Sequence, residues 1–198
     1  MAAGLIVALA GCSVPPKGDR AEDYLPLTVP WTGTFKSPDK DPQLLVVKHA
    51  APRGKVWSIE VSKFYLGGQF ALFITSEERG ILLHTVVQGT SVAKLDAPQL
   101  LVPRTLAEGS GWTSSTQARG DREGNLDVRI TGAPALEEVT ALGRRVKARQ
   151  LQIELKGKAP PTTLTFWLSP GLGIVRFQGG AADLKGDWEL SEVREEKP

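Results

Sequence analysis

The chain has 198 residues, with 24 Lys and Arg against 22 Asp and Glu and a formal net charge of +2. That near balance argues against nucleic acid as the main partner, since domains that bind it carry a clustered basic excess. A single cysteine, Cys12, excludes an internal disulfide, so the body relies on its apolar core, for which the length suffices in one domain.

Residues Ala2 to Ala10 are small or apolar, and nothing before Lys17 is charged. A run of this kind ending in small residues reads as the core and cleavage region of a secretory signal. It is too short for a spanning helix, which needs about 20 apolar residues. The run closes on Leu9-Ala10-Gly11-Cys12, which resembles the lipobox of bacterial lipoproteins position by position. The resemblance implies cleavage before Cys12, a diacylglyceryl thioether on its sulfur and an acyl group on its freed amine. Two or more acyl chains anchor a protein stably, whereas one does not. Signals of this class open with Lys or Arg, and this one has neither, so either the start lies upstream or the signal is atypical. The alternative is a buried apolar strand carrying an ordinary thiol. On the lipoprotein reading, residues 1–11 are the signal peptide, 12–23 a lipidated flexible tether rich in Pro, Gly and charge, and 24–198 a single β-domain. The location is then the cell envelope, outside the cytoplasm. Ser13 is not acidic, which favours the outer membrane or cell surface over the inner membrane.

Trp31, Gly33 and Phe35 share one face of a first strand, because strand side chains alternate. Gln43 to His49 has a continuous apolar centre and reads as a buried strand. Trp57, Ile59 and Val61 alternate with Ser58, Glu60 and Ser62, the pattern of a half-buried strand. Phe70 to Thr75 and Ile81 to Val87 form a hairpin through a Gly-containing loop. Pro98 to Pro103 is bounded by prolines, which confines it to a sheet edge or a connector. Trp112 opens the next strand. Asp121 to Asn125 is a turn before alternating Leu126, Val128 and Ile130. Residues 134–142 read as one short helical turn, with Pro134 to begin it and Gly143 to end it. The apolar positions change phase near Arg149-Gln150, from Val146 and Ala148 to Leu151, Ile153 and Leu155. A β-bulge there would restore one apolar face. Leu164, Phe166 and Leu168 alternate, Pro170-Gly171 makes a corner, Ile174 to Phe177 follows, and Trp188 with Leu190 marks the last strand. Glu192 to Pro198 reads as a frayed charged tail. The count is about twelve strands with little helix, which predicts an all-β sandwich or barrel.

Tyr24-Leu25-Pro26-Leu27 with Trp31, Leu101-Val102-Pro103 with Gly109-Ser110-Gly111-Trp112, and Glu138-Val139-Thr140 with Val146 and Ala148 together resemble a group of uncharacterised bacterial lipoproteins. Trp167-Leu168-Ser169-Pro170-Gly171-Leu172-Gly173-Ile174-Val175-Arg176 is similar to their Trp-x-x-Pro-Gly-x-Gly corner. Thr28-Val29-Pro30 stands where that group has a glycine turn. The resemblance implies a strongly curved antiparallel sheet, a half-barrel or open barrel like those of lipoprotein carriers and receptors. It implies no catalytic residues.

Candidate sites are few. His49 and His84 have no Cys or Glu at ligand spacing, so no metal is expected. Asp121, Glu123, Asn125 and Asp127 alternate as calcium ligands do, but Gly124 stands fourth where such loops want it sixth. No Gly-x-Ser-x-Gly elbow occurs, and Gly171-x-Gly173 leads into a strand rather than a phosphate-binding helix. No cofactor beyond the lipid on Cys12 is expected, and no enzyme. Arg145, Lys147 and Arg149 share one strand face, a patch suited either to anionic headgroups or to plain solvation. Trp57, Phe166 and Trp167 are the aromatic candidates for lining a ligand site in a concave sheet. Trp167 has the opposite parity to Phe166 and Leu168 and should point away from their apolar face. The functions that remain are a lipid-anchored envelope interaction or assembly protein and, alternatively, a carrier of an acyl chain or other apolar ligand.

Overall fold

The computed structural model describes residues 20–38, 40–51, 54–63, 69–106, 109–121, 124–157, 161–179 and 186–195. The expected signal peptide, Cys12, the tether up to residue 19 and Glu123 lie outside them. The body is all-β, with one short helix, α1 (Ala21–Tyr24). Its strands are β1 (Trp31–Ser37), β2 (Lys40–His49), β3 (Val56–Lys63), β4 (Gln69–Glu77), β5 (Gly80–Gln88), β6 (Ser91–Pro103), β7 (Trp112–Gly120), β8 (Gly124–Ala141), β9 (Arg144–Lys156), β10 (Thr162–Ser169), β11 (Gly173–Gly179) and β12 (Gly186–Glu195). Each pairs antiparallel with its neighbours in chain order. The sheet closes where β1 pairs with both β2 and β12, so the curved sheet is a complete barrel rather than an open one. Closure uses part of the expected tail. Glu192 to Glu195 pair with Thr34 to Trp31, and their charged side chains point to solvent, which hides the strand from an apolar pattern.

Two seams interrupt the ladder. Between β6 and β7 only Ala93 to Leu95 find partners. Above them, the Trp112 indole N–H donates to the Leu101 carbonyl at 3.1 Å and Ser114 Oγ to Gln99 Oε1 at 2.8 Å. Pro98 is tolerated here because the ladder on that side has ended. The proline reading thus located a seam, although the segment belongs to the continuous strand β6. Between β11 and β12 the ladder runs only from Arg176 to Gln178.

The interior is filled. Phe177 stands at the centre of an aromatic group, with ring centroids 5.1 Å from Phe35, 5.9 Å from Trp188 and 6.5 Å from Phe166. Ring pairs at these separations add about 0.5–1.5 kcal/mol each beyond area burial. One end of the barrel is plugged by the chain preceding β1. Arg20 bridges to Thr105, the Ala21 N–H donates to the Arg104 carbonyl at 3.0 Å, and the Gly171 N–H donates to the Asp23 carbonyl at 2.7 Å. Ala21, Tyr24, Leu25 and Leu106 are buried in this plug. The packed body therefore takes in Arg20 to Asp23, which the sequence reading assigned to the tether.

Residues 134–142 are not helical. β8 continues through them to Ala141, and Leu142 and Gly143, at φ of 53° and 69°, form a two-residue hairpin turn into β9. Positive φ at both central residues is the geometry that matches the twist of a hairpin. The phase change at Arg149-Gln150 is not a bulge in β9 either, since β9 pairs with β10 without interruption from Leu155 to Arg149. The irregularity sits in β8, between Gly132 and Leu136. Beyond it the hairpin from Leu136 to Ala148 folds over the outer wall of β10 to β12. The Leu142 N–H donates to the Leu190 carbonyl at 2.7 Å, beyond the short β11–β12 ladder. Val139, Ala141 and Ala148 are buried there. The apolar face changes side because the strand leaves the barrel wall and packs on its outside.

Candidate functional site

The end opposite the plug holds a cavity of about 360 Å³. Inward positions on neighbouring strands make its floor: Val86 on β5, Ala93 on β6, Leu126 on β8 and Leu155 on β9, with Gln88, Ser91, Asp121 and Thr162 among its rim. The turns keep the rim in place. The Val92 N–H donates to Asp121 Oδ1 at 3.0 Å, and the Asp121 N–H to the Val92 carbonyl at 3.1 Å. Asp121 is thus a turn clamp. Asp127 accepts from Gln117 Nε2, and among the described residues no three His, Cys, Asp or Glu gather to hold a metal. Near the β11–β12 end of the same mouth, Trp188 Nε1 and Gln43 Oε1 are buried without a hydrogen-bond partner. Lys40 Nζ lies 5.6 Å above the Trp188 ring.

The three aromatic candidates do not meet. Trp57 faces inward on β3 at 5 % exposure, its ring centroid 3.9 Å from that of His49. Phe166 faces inward on β10 and packs against Phe177. Trp167 points outward, as its parity requires, yet it is 5 % exposed because the β8–β9 hairpin lies over it. Its indole N–H donates to Glu137 on that hairpin, and the Arg176 guanidinium sits 4.7 Å over its ring. Arg176 is held by both oxygens of Asp187, with Nε to Oδ1 at 2.6 Å. That hydrogen-bonded carboxylate keeps the guanidinium pKa above its ordinary value, against the opposing effect of burial. Trp167 is a fastener for the hairpin and offers no surface to a ligand.

The basic cluster divides in the same way. Arg145 and Lys147 are exposed on the top of the hairpin, with Arg145 3.4 Å from Glu138. Arg149 is 2 % exposed and belongs to the plugged end. Its Nη1 donates to the carbonyls of Ser110 at 2.6 Å and Ala133 at 3.0 Å, and its guanidinium lies 5.9 Å from the Tyr24 ring centre. The patch of three is therefore a patch of two. Arg149 ties the loop carbonyls of Ser110 and Ala133 to the inner face of the barrel. Its signal in the sequence was the phase change beside it. His84 is a structural residue: its Nε2 is 2.8 Å from Thr75 Oγ1, which is also 2.9 Å from Glu77 Oε1.

The outer wall from β7 to β9 presents Arg119, Asp127, Arg129, Glu154 and Lys156 at alternate positions. A barrel that spans a membrane carries an apolar band there, and these three strands carry charge instead. No family model and no curated protein matches the chain. Among solved structures it is similar to a Bacteroides fragilis NCTC 9343 protein named "putative exported protein with YmcC-like fold", at 9 % identity, 89 % of this chain, 99 % of that chain and a TM-score of 0.35.

Proposed function

We propose that the chain is an extracytoplasmic lipoprotein, tethered through Cys12, whose barrel acts as a non-enzymatic interaction or assembly protein of the cell envelope. The observation that supports an interaction role over a carrier role is the packed interior. Phe35, Phe166, Phe177 and Trp188 occupy the volume that a carrier of long acyl chains would leave for its cargo. Partners would then engage the outer wall and the loops. The lipobox resemblance of Leu9 to Cys12 supports the anchor. Native mass spectrometry of the protein extracted from its own membrane tests this reading. The expected mass is that of the chain from Cys12 onward plus a diacylglyceryl group and an acyl chain, and Cys12→Ser should lose the added mass and the membrane association. An unprocessed chain with a free thiol in the soluble fraction overturns it.

The mouth cavity favours a second reading, a binding module for a short apolar group. Its floor of Val86, Ala93, Leu126 and Leu155 is apolar, and its volume of about 360 Å³ lies at the small end of ligand pockets. Titration of a fluorescent short-chain fatty acid separates the two readings. Ala93→Phe, which fills the floor, should abolish binding if the cavity is the site. No saturable binding to the unaltered protein removes the second reading.

A further inference from the structure

We infer that the β8–β9 hairpin, from Leu136 to Ala148, is an exchangeable arm, and that two copies of this chain dimerise by laying each arm on the other's outer wall. The inference stands apart from the anchor at Cys12 and from the mouth cavity. Three observations carry it.

The first is that the arm docks as a separate piece. It meets the wall of β10 to β12 through side chains and single bonds, with no ladder among the described residues. Glu137 accepts the Trp167 indole N–H, Ser169 Oγ donates to the Lys147 carbonyl at 2.8 Å, and the Leu142 N–H donates to the Leu190 carbonyl at 2.7 Å. Val139, Ala141 and Ala148 are buried against the wall. Charge agrees with the docking: the tip continues into Arg144 and Arg145, and the wall beside the tip carries Asp187 and Glu189. Each of these contacts joins arm to wall. The arm of a second copy is chemically identical and makes the same set, so exchange forfeits none of them.

The second is the bend at the arm's root. Gly132 pairs with Leu151 and Leu136 with Arg149, so Ala133, Pro134 and Ala135 stand opposite Gln150 alone. Pro134 has no N–H with which to extend the ladder. The bend is tight. The Trp112 ring lies where a Cβ on Gly132 would stand, and a Cβ on Gly111 would come within 2.8 Å of the Gly132 carbonyl. Arg149 Nη1, bonded to the Ala133 carbonyl, holds the arm folded back. A short, crowded hinge invites exchange, because the open form straightens it.

The third is Leu136, the first residue of the arm, at 41 % exposure beside the exposed Pro134 and Ala135. A lone exposed leucine is ordinary on a soluble surface. This one sits where exchange creates its new contact, since the two hinges of an exchanged pair pass each other at the two-fold axis and each covers the other's Leu136. A chain's own wall sees its arm at an effective concentration of about millimolar. Covering two leucines lowers the level at which exchange competes by about tenfold, to roughly 100 μM.

The test uses the full chain carrying Cys12→Ser, which removes the one thiol and with it any disulfide between copies. It is held at several times that concentration and followed by size-exclusion chromatography with light scattering. The expected result is a dimer that forms over hours. Once isolated and diluted, it returns to monomer equally slowly, because each arm must first leave the partner's wall. Inserting Gly-Ser-Gly between Ala135 and Leu136 gives the arm slack to lie on its own wall and should lower the dimer fraction about tenfold. Leu136→Ser, at a site exposed in the monomer, should lower it several-fold with the thermal midpoint unchanged, and this variant decides if the insertion destabilises the chain. A protein that stays monomeric throughout overturns the inference. So does a dimer that separates at once on dilution, or one that a folded insertion variant still forms in full, since either is ordinary association of two surfaces.

Discussion

At the plugged end, Ala21, Tyr24, Leu25 and Leu106 are no more than 3 % exposed, and the chain itself closes the barrel over them. At the mouth, the inward residues Val86, Ala93, Leu126 and Leu155 lie at 2–8 % beneath a cavity of about 360 Å³. The same twelve strands end at both places, so the difference comes from what meets the strand ends. Sheet ends bring loop carbonyls and amides that need partners. At the mouth, reciprocal turn bonds such as Asp121 with Val92 meet that need, and the floor stays open. At the plug, a buried cation does it. Arg149 reaches the carbonyls of Ser110 and Ala133 from the inner face of β9, and Tyr24 covers it. Closing an end with protein thus commits the fold to a buried cation inside an apolar plug, with its Nη1 bonded to two carbonyls and its Nε buried without a partner among the described residues. Leaving an end open leaves room for a ligand or partner.

The largest expected effect breaks this contrast at its polar centre. Arg149→Leu removes two hydrogen bonds from a buried charged donor, at a cost of about 3–5 kcal/mol. Urea unfolding checks it, with a lowered midpoint at unchanged slope. Arg149→Lys keeps the charge but not the planar fork and should recover only part of the loss. An unchanged midpoint for the leucine variant would mean that water already serves those carbonyls, and that the plug is less dry than its burial indicates.

A matched pair of truncations sharpens the contrast. Leu25→Ala in the plug empties an enclosed site and should cost about 3–4 kcal/mol. Leu155→Ala at the floor of the mouth, 8 % exposed, enlarges a space that already opens to solvent, so the cavity penalty shrinks and about 2 kcal/mol is expected. Thermal unfolding of the two variants side by side gives the ordering. Equal losses would show that the mouth is as tightly enclosed as the plug.

Most strands were legible because alternation is local. Trp57-Ile59-Val61 and Leu126-Val128-Ile130 announce both their strands and their inner faces. Closure was not legible. Part of it runs through Glu192 to Glu195, where Glu192, Arg194 and Glu195 are exposed charges that carry no apolar signal while their backbone pairs with β1. The hairpin was misread for a related reason. Pro134 and Gly143 are helix punctuation in isolation, but the long-range packing of Val139 and Ala141 against the wall decides the local structure. The plug escaped because Ala21 to Tyr24 is too short to show a period. Of the site residues, the outward parity of Trp167 was readable, and its cover was not. Nothing within ten residues of it announces that Glu137, thirty positions earlier, will accept its N–H. Arg149 looked like its neighbours Arg145 and Lys147, and only the phase change marked it as different.

The smallest effect concerns the one wall that the chain covers with its own hairpin. Trp167→Phe keeps a ring on the outer face of β10 for Arg176 to lie over, and it deletes the donor to Glu137. Glu137 is exposed, so its carboxylate regains water and the net loss is about 1 kcal/mol. Two other ties remain: Ser169 Oγ donating to the Lys147 carbonyl at 2.8 Å and the Leu142 N–H on the Leu190 carbonyl. The hairpin should therefore loosen without detaching. Amide exchange of Val139 and Val146, which pair within it, should speed up about fivefold, the factor that 1 kcal/mol represents when exchange goes through local opening. Amides of β3 and β4, on the far side of the barrel, should not change. If instead those strands accelerate together with the hairpin, the hairpin does not open on its own. The covered wall would then unfold only with the whole barrel, as the plugged end is expected to do.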